Sequence, residues 1–122
     1  MTPTTKPSAP ELAMQLGAVA GSSFRALSSD IAPGCVVRFT CVVEAQRHQL
    51  WSMLTGSTPP QRGQMYMFGQ DFFAASEHER LALCRRVGVV PYDGGLISNL
   101  KAWENIVLPV SYHRGTSVAA RR

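Results

Sequence analysis

Residues 35–43 constrain the fold more than any other part of the chain, because they are nearly all apolar and many are β-branched. A run of this kind predicts a β-strand that is covered on both faces. Residues 44–55 then show an apolar stripe beside polar positions, and Gly56 stands where a helix would end. A strand followed directly by a helix predicts the start of an α/β unit.

The other predicted strands are short. We expect them at residues 12–16, 24–31, 65–68 and 87–90, where apolar and β-branched residues cluster between turn formers. Small residues at 17–23 predict a turn between the first two strands, and Pro33 and Gly34 predict a second turn just before residue 35.

Two further helices are predicted from their start signals. Ser76 and Glu79 have the spacing of a capping box, in which the hydroxyl and the carboxylate satisfy free amides at a helix start. Residues 99–105 predict a short helix capped by Ser98 or Asn99.

Composition excludes several classes of protein. Hydrophobic residues make up 45% of the 122 residues and charged residues 16%, which suits a chain with a real core and not a wholly disordered one. No apolar run approaches the ~20 residues that span a bilayer. We expect a flexible tail at 1–10, one domain over 11–114 and a basic end at 115–122.

The net charge of +4 raises the question of a nucleic-acid partner. The Lys and Arg residues are scattered, with small concentrations only at 85–86 and 121–122, and no basic run is interleaved with aromatic residues. This pattern favours an ordinary solvated surface over a nucleic-acid site. The start of the chain lacks a basic stretch followed by an apolar one, which predicts a cytoplasmic location.

Two blocks of sequence carry a family resemblance. The first comprises 33–34, 36–37, 50–56, Pro60, Gly63 and 69–71, and the second comprises 85–90, 93–96, 98–100 and 103–106. In this order they resemble the front half of the ATP-binding subunit of an ABC transporter, of the type that serves bacterial lipid importers. The resemblance covers residues 33 to about 114. It implies a partial P-loop-NTPase-like α/β sheet with flanking helices that lacks the C-terminal half of the family's fold.

The phosphate-loop positions depart from the family's pattern, G-P-S-G-S-G-K-S-T, at all nine of residues 41–49. The degenerate nucleotide-binding positions are Cys41, Glu44, Gln46, Arg47, His48 and Gln49. Side chains replace the glycines that let backbone amides approach phosphate, and Glu44 places negative charge there. Arg47 keeps a positive charge at the Lys position, whereas His48 cannot replace a hydroxyl on Mg²⁺. We therefore expect no ordinary Mg-ATP binding and no resident cofactor.

The resemblance also implies other losses. Tyr92 stands at the position of the glutamine-loop Gln, and residues 115–122 hold none of the signature, magnesium-acid or switch segments on which phosphoryl transfer depends. We therefore expect no hydrolysis by this chain alone. The family's neighbour for the 35–43 strand is missing too, which leaves an unpaired edge. We expect the sheet to pair with itself, with another chain or with rearranged N-terminal strands.

The second block keeps the family's appearance, and in the family this stretch forms a groove that receives a coupling helix from the membrane subunit. The resemblance assigns partner docking to Tyr92, Asp93, Leu96, Ile97, Leu100, Trp103 and Ile106. It predicts a non-catalytic protein that contacts a transporter permease or ATPase subunit, peripheral on the inner membrane through that partner. Two alternatives stay open: an ATP-binding subunit with an atypical phosphate loop, and a small basic module that binds nucleic acid or anionic lipid.

Three cysteines without C-x-x-C spacing suggest neither a disulfide framework nor a four-thiolate zinc site. Cys35, Cys41 and His48 form a conceivable three-ligand site, since the first two share a face of the predicted strand. Buried structural cysteines are the commoner arrangement. We therefore expect no metal.

Overall fold

A computed structural model describes residues 12–91 and 93–114. The chain divides into two compact units with the boundary between Cys84 and Arg85, and each is described by itself. The tail predicted at 1–10 and the basic end predicted at 115–122 lie outside the described residues. The expectation of one domain over 11–114 stays a prediction.

The first unit is a small α/β arrangement with an antiparallel sheet in the order β2-β1-β3-β4. Its elements are β1 (Met14–Ala20), β2 (Leu27–Ile31), α1 (Glu44–Leu54), β3 (Arg62–Met67), β4 (Gln70–Asp71) and α2 (Glu77–Cys84). The predicted helix at 44–55 and the predicted strand at 65–68 are confirmed as α1 and β3. The first two strands differ more from their predictions. β1 continues through residues 17–20, where we expected a turn, and β2 begins at Leu27.

The sheet and both helices of the first unit contribute residues to its core. Its buried residues are Leu16 and Val19 of β1, Met65 and Met67 of β3, Leu50 and Met53 of α1, Phe72 after β4, and Leu83 of α2. Removal of these side chains from water is the main stabilising contribution to the unit, at about 25 cal/mol per Å² of apolar area buried. Leu50 and Met53 stand three residues apart on α1, so the helix turns one stripe towards the core.

A β-bulge in β1 keeps its apolar residues on the core side. Leu16 and Val19 are both buried although strict alternation would place them on opposite faces. Ala18, between them, has a φ of +49°, and the register shifts there in both of β1's ladders. Its amide donates to the Ser28 hydroxyl at 3.0 Å. The bulge therefore restores the buried face with the freed amide satisfied.

The predicted strand at 35–43 is wrong. These residues form no regular secondary structure and pair with no strand among the described residues, and Val36 and Val42 are 98% and 92% exposed. A strand needs a neighbour to accept its backbone hydrogen bonds, and none is present for this segment among the described residues. The predicted strand at 87–90 is also wrong: these residues have no regular structure, and Val90 is 86% exposed. In both cases the apolar composition predicted a strand, but no partner strand is present among the described residues.

The predicted capping box at the start of α2 is confirmed. The Ser76 amide and hydroxyl both donate to Oε2 of Glu79, at 2.8 and 2.7 Å, and the Glu79 amide donates back to the Ser76 hydroxyl at 3.3 Å. The Ser76 hydroxyl, followed by its amide, lowers the pKa of the Glu79 carboxyl because both hydrogen bonds favour the charged form.

The capping box predicts a pH-dependent contribution to the stability of α2. A lowered folded-state pKa gives stabilisation that is present above the usual pKa of Glu and is lost as the pH falls through the folded value. We expect Glu79→Gln to reduce the free energy of unfolding at neutral pH, and its difference from wild type to shrink in acid. Urea unfolding at several pH values measures this. Glu77→Gln, in the same first turn, is the control, and equal pH profiles for both variants would contradict the assignment.

The second unit contains α3 (Ala102–Arg114). This helix starts later and runs further than the helix predicted at 99–105, and the caps predicted at Ser98 and Asn99 are wrong. The Lys101 amide instead donates to Oε2 of Glu104 at 2.7 Å, which satisfies a free amide at the true start.

Candidate partner-docking surface

The degenerate phosphate-loop positions divide between an irregular stretch and a helix. Cys41 lies in the irregular stretch, and α1 begins at Glu44, so the other five assigned residues occupy its first two turns. Val43 at the N-cap has no side-chain hydrogen bond. The Gln46 Oε1 atom accepts from the Val42 amide at 3.2 Å, which helps to close the helix start.

The charges at this helix start neutralise each other. An Nη of Arg47 lies 2.8 Å from a carboxylate oxygen of Glu44, and both side chains are exposed. A phosphate cradle needs inward-turned amides on backbone that favours glycine. Within residues 41–49 no residue has a positive φ. Residues 44–49 are helical, and residues 41–43 before them lack the positive φ angles of a glycine-rich phosphate loop.

Gln49 has a structural contact that the sequence did not indicate. Its Oε1 accepts from the Ser23 amide at 2.8 Å, and its Nε2 donates to the Ser22 hydroxyl at 3.0 Å. A side chain added at Gly21 would collide with the Gln49 amide, so the glycine is what allows the close approach. Gln49 thus fastens the 21–24 loop to α1.

Among the described residues, the assigned phosphate-loop positions contribute to two separate depressions. His48 and Gln49 line an open depression of about 260 Å³ together with serine and threonine hydroxyls. Cys41 and Gln46 line another of about 200 Å³, whose wall includes Leu27 and Phe39. Across residues 12–91 and 93–114, no three His, Cys, Asp or Glu side chains form a group able to hold a metal ion. The cysteines are not the buried kind we expected, since Cys35 and Cys84 are exposed.

A tight turn in the second unit contains Asp93, the first described residue assigned to docking. Oδ1 of Asp93 accepts from the Gly95 amide at 3.1 Å, and the Gly94 amide donates to the Pro91 carbonyl at 3.0 Å. Gly94 and Gly95 both have positive φ, at +85° and +57°. Glycine is the residue that adopts this backbone without strain, so the turn explains the Gly-Gly pair. Tyr92 lies outside the described residues.

Asn105 holds the following loop against α3, and sequence reasoning gave it no such role. Its Oδ1 accepts from the Ile97 amide at 2.8 Å. Its Nδ2 lies 3.2 to 3.3 Å from the carbonyls of Ile97, Leu100 and Lys101. The residue type was the available signal, because a side-chain amide both donates and accepts and can therefore bind backbone carbonyls and amides of a loop.

Four large apolar residues on this loop and on α3 are exposed, and we call them the docking surface: Leu96, Ile97, Trp103 and Ile106. All four are exposed, with Leu96 at 75% and Ile106 at 76%. Trp103 and Ile106 are three residues apart on α3 and therefore lie on one side of the helix. Leu100, also assigned to docking, is half-buried. Val110 extends the same side of α3 and was missed, because the pattern fades after Pro109.

None of the helices in the described parts of the chain combines the length and the apolar character that a bilayer crossing requires. The described elements define the chain as a small α/β protein whose second unit carries exposed apolar residues.

The comparisons with known proteins give one distant relationship to report. No protein-family model matches the chain. Over 78 residues, 64% of the chain, it is 35% identical to Nod factor export ATP-binding protein I of Azorhizobium caulinodans. The matched stretch corresponds to 23% of that protein's length. The chain is thus distantly similar to an ATP-binding protein of the ABC type, in agreement with the coarse resemblance of its sequence.

Proposed function

We propose that this chain acts by protein–protein contact with the membrane subunit of an ABC transporter and does not hydrolyse nucleotide. The observation that carries the proposal is the docking surface. Four large apolar side chains stand exposed on a loop and helix that Asn105 holds in place. Large apolar side chains left exposed on neighbouring residues in this way are typical of surfaces that bind another protein.

The form of the surface favours a helix as the bound element. Trp103 and Ile106 offer anchors at helical spacing, and Leu96 stands on the adjoining loop. Asp93 and Lys101 supply an exposed polar rim. An amphipathic helix binds such a surface by placing its apolar face on the anchors and its polar face outwards.

The state of the phosphate-loop positions supports contact over catalysis. Glu44 and Arg47 pair with each other at the start of α1, and Gln49 is engaged with the 21–24 loop. A triphosphate at this place would meet the carboxylate of Glu44, whose negative charge repels that of the phosphates. It would also lack the glycine amides that the family's chemistry requires.

The kind of partner follows from similarity. The similar protein from Azorhizobium caulinodans is named as the ATP-binding protein of an export system, so we propose a transporter permease as the partner. Contact with an intact ATPase subunit is the other form of the same proposal. A lipid cargo and a place at the inner membrane through the partner rest on the sequence resemblance.

A binding measurement with purified components tests the proposal. The full chain is immobilised, and detergent-solubilised permeases and ATPase subunits of ABC transporters from the source organism are passed over it one at a time. We expect saturable binding of one permease. Binding of an ATPase subunit alone would shift the proposal to its second form. Absence of binding to every subunit would contradict it.

A further inference from the structure

An apolar cavity of the first unit has no role in the proposed function. It is formed by residues just before and at the start of β2, by residues 39–41 and by α1, and its volume is about 200 Å³. Phe24, Leu27, Phe39 and Leu50 make up its apolar wall. Leu50 is buried in the core, whereas the other three are half-buried. The cavity therefore offers apolar surface to a small molecule that enters from solvent.

The polar side chains on the wall of this cavity favour a ligand with hydrogen-bond acceptors. The Arg25 guanidinium makes no ion pair or hydrogen bond with another described residue. Oε1 of Gln46 accepts from the Val42 amide, so the donor on this side chain, Nε2, is the part that stays available among the described residues. No Asp or Glu is among the described residues that line the cavity. A ligand here meets one positive charge and a donor, and no carboxylate.

The position of Arg25 suits a carboxylate group on that ligand. The fork of an arginine side chain matches the two oxygens of a carboxylate, and both of its hydrogen bonds are then charge-assisted. Arg25 is exposed, so its charge stands at the open side of the cavity. A carboxylate can pair with it there while staying in contact with water, which avoids the large desolvation cost of a buried ion pair.

The volume and the wall of the cavity limit the apolar part of the ligand. An apolar protein cavity of about 150 Å³ holds one benzene molecule, so about 200 Å³ holds one ring and a short linker. Phe24 and Phe39 both contribute to the wall, and aromatic side chains favour a third ring in offset or edge-to-face contact. The single cation on the wall matches a ligand with one negative charge.

We propose that this cavity binds a small aromatic carboxylate. Its ring packs against Phe24 and Phe39, its carboxylate pairs with Arg25, and Nε2 of Gln46 donates a further hydrogen bond. The proposal concerns the first unit and is independent of docking by the second, so either can fail without the other.

Titration of the full chain with 3-phenylpropionate, followed by the amide chemical shifts of its NMR spectrum, tests the proposal. We expect saturable shifts centred on residues 24–27, 39–41 and 46–50, with a dissociation constant of the order of 1 mM for a ligand of this size. 3-Phenylpropanamide has the same ring without the charge and should bind about tenfold more weakly. Equal binding of acid and amide, or no saturable shift up to about 20 mM acid, would overturn the proposal.

Arg25→Gln and Arg38→Gln are a matched pair of variants for the same titration. Arg38 is also an exposed arginine and directly precedes Phe39, but it is not among the residues that line the cavity. Arg25→Gln should raise the dissociation constant of the acid about tenfold and change that of the amide by less than about twofold. Arg38→Gln should change neither by more than about twofold. Equal losses from the two variants, or unchanged binding of the acid by Arg25→Gln, would contradict the assignment.

Discussion

Replacing Ile106 or Leu96 by Asp is expected to weaken binding to the proposed transporter subunit strongly while leaving the fold intact. Both side chains are exposed in the free chain, so a carboxylate costs little there. In the complex the same carboxylate would be buried against an apolar partner without a hydrogen-bonding group. We expect each variant to weaken binding by roughly 3 kcal/mol, which corresponds to more than a hundredfold in the dissociation constant.

Leu81→Asp is the matched control for these variants. Leu81 is an exposed leucine, at 55%, on α2 of the first unit and away from the docking surface in sequence. Binding of each variant is measured with the immobilised permease, and circular dichroism checks that the helices are retained. If Leu81→Asp weakened binding as much as Ile106→Asp, the docking surface would not be the site of contact.

Gly63→Ala is expected to destabilise the first unit strongly. Gly63 has a φ of +84°, and an added Cβ would collide with the backbone carbonyl of Ala18 at the β1 bulge. The collision is with backbone, which cannot move without disturbing the sheet. The left-handed conformation and the collision together predict a loss of roughly 3 kcal/mol or more in the free energy of unfolding.

Gly69→Ala separates the two causes. Gly69 has nearly the same φ, +80°, in the turn between β3 and β4, but an added Cβ would meet open space. This variant should cost only about 1 kcal/mol, from backbone conformation alone. Urea unfolding compares the two, followed by tryptophan fluorescence in a Trp103→Phe background so that Trp51 on α1 is the single reporter. Equal losses would show that the bulge and Gly63 do not pack as described.

Local signals in the sequence predicted the elements that depend on neighbours close in the chain. The capping box at Ser76 and the stripe of α1 each involve residues three or four positions apart, and both are confirmed. The prediction for 35–43 was wrong because a two-sided apolar strand requires strands that are distant in sequence. The apolar composition of 35–43 indicates that a strand there would need neighbouring strands, but it does not show that those strands are present.

The docking surface was predictable only in part. The resemblance assigned Leu96, Trp103 and Ile106, and the structure places them exposed in the second unit. The role of Asn105 depends on four backbone atoms of a loop whose path the sequence does not encode at short range. The contact of Gln49 with Ser22 and Ser23 was missed for the same reason, because it joins residues far apart in sequence.

A calorimetric titration of the full chain with Mg-ATP tests most directly the claim that this protein works by contact and not by nucleotide chemistry. Nod factor export ATP-binding protein I serves as the positive control. We predict no binding at millimolar nucleotide, which means a dissociation constant above the millimolar range and a binding free energy weaker than about −4 kcal/mol. A micromolar dissociation constant that Arg47→Ala abolishes would contradict the account.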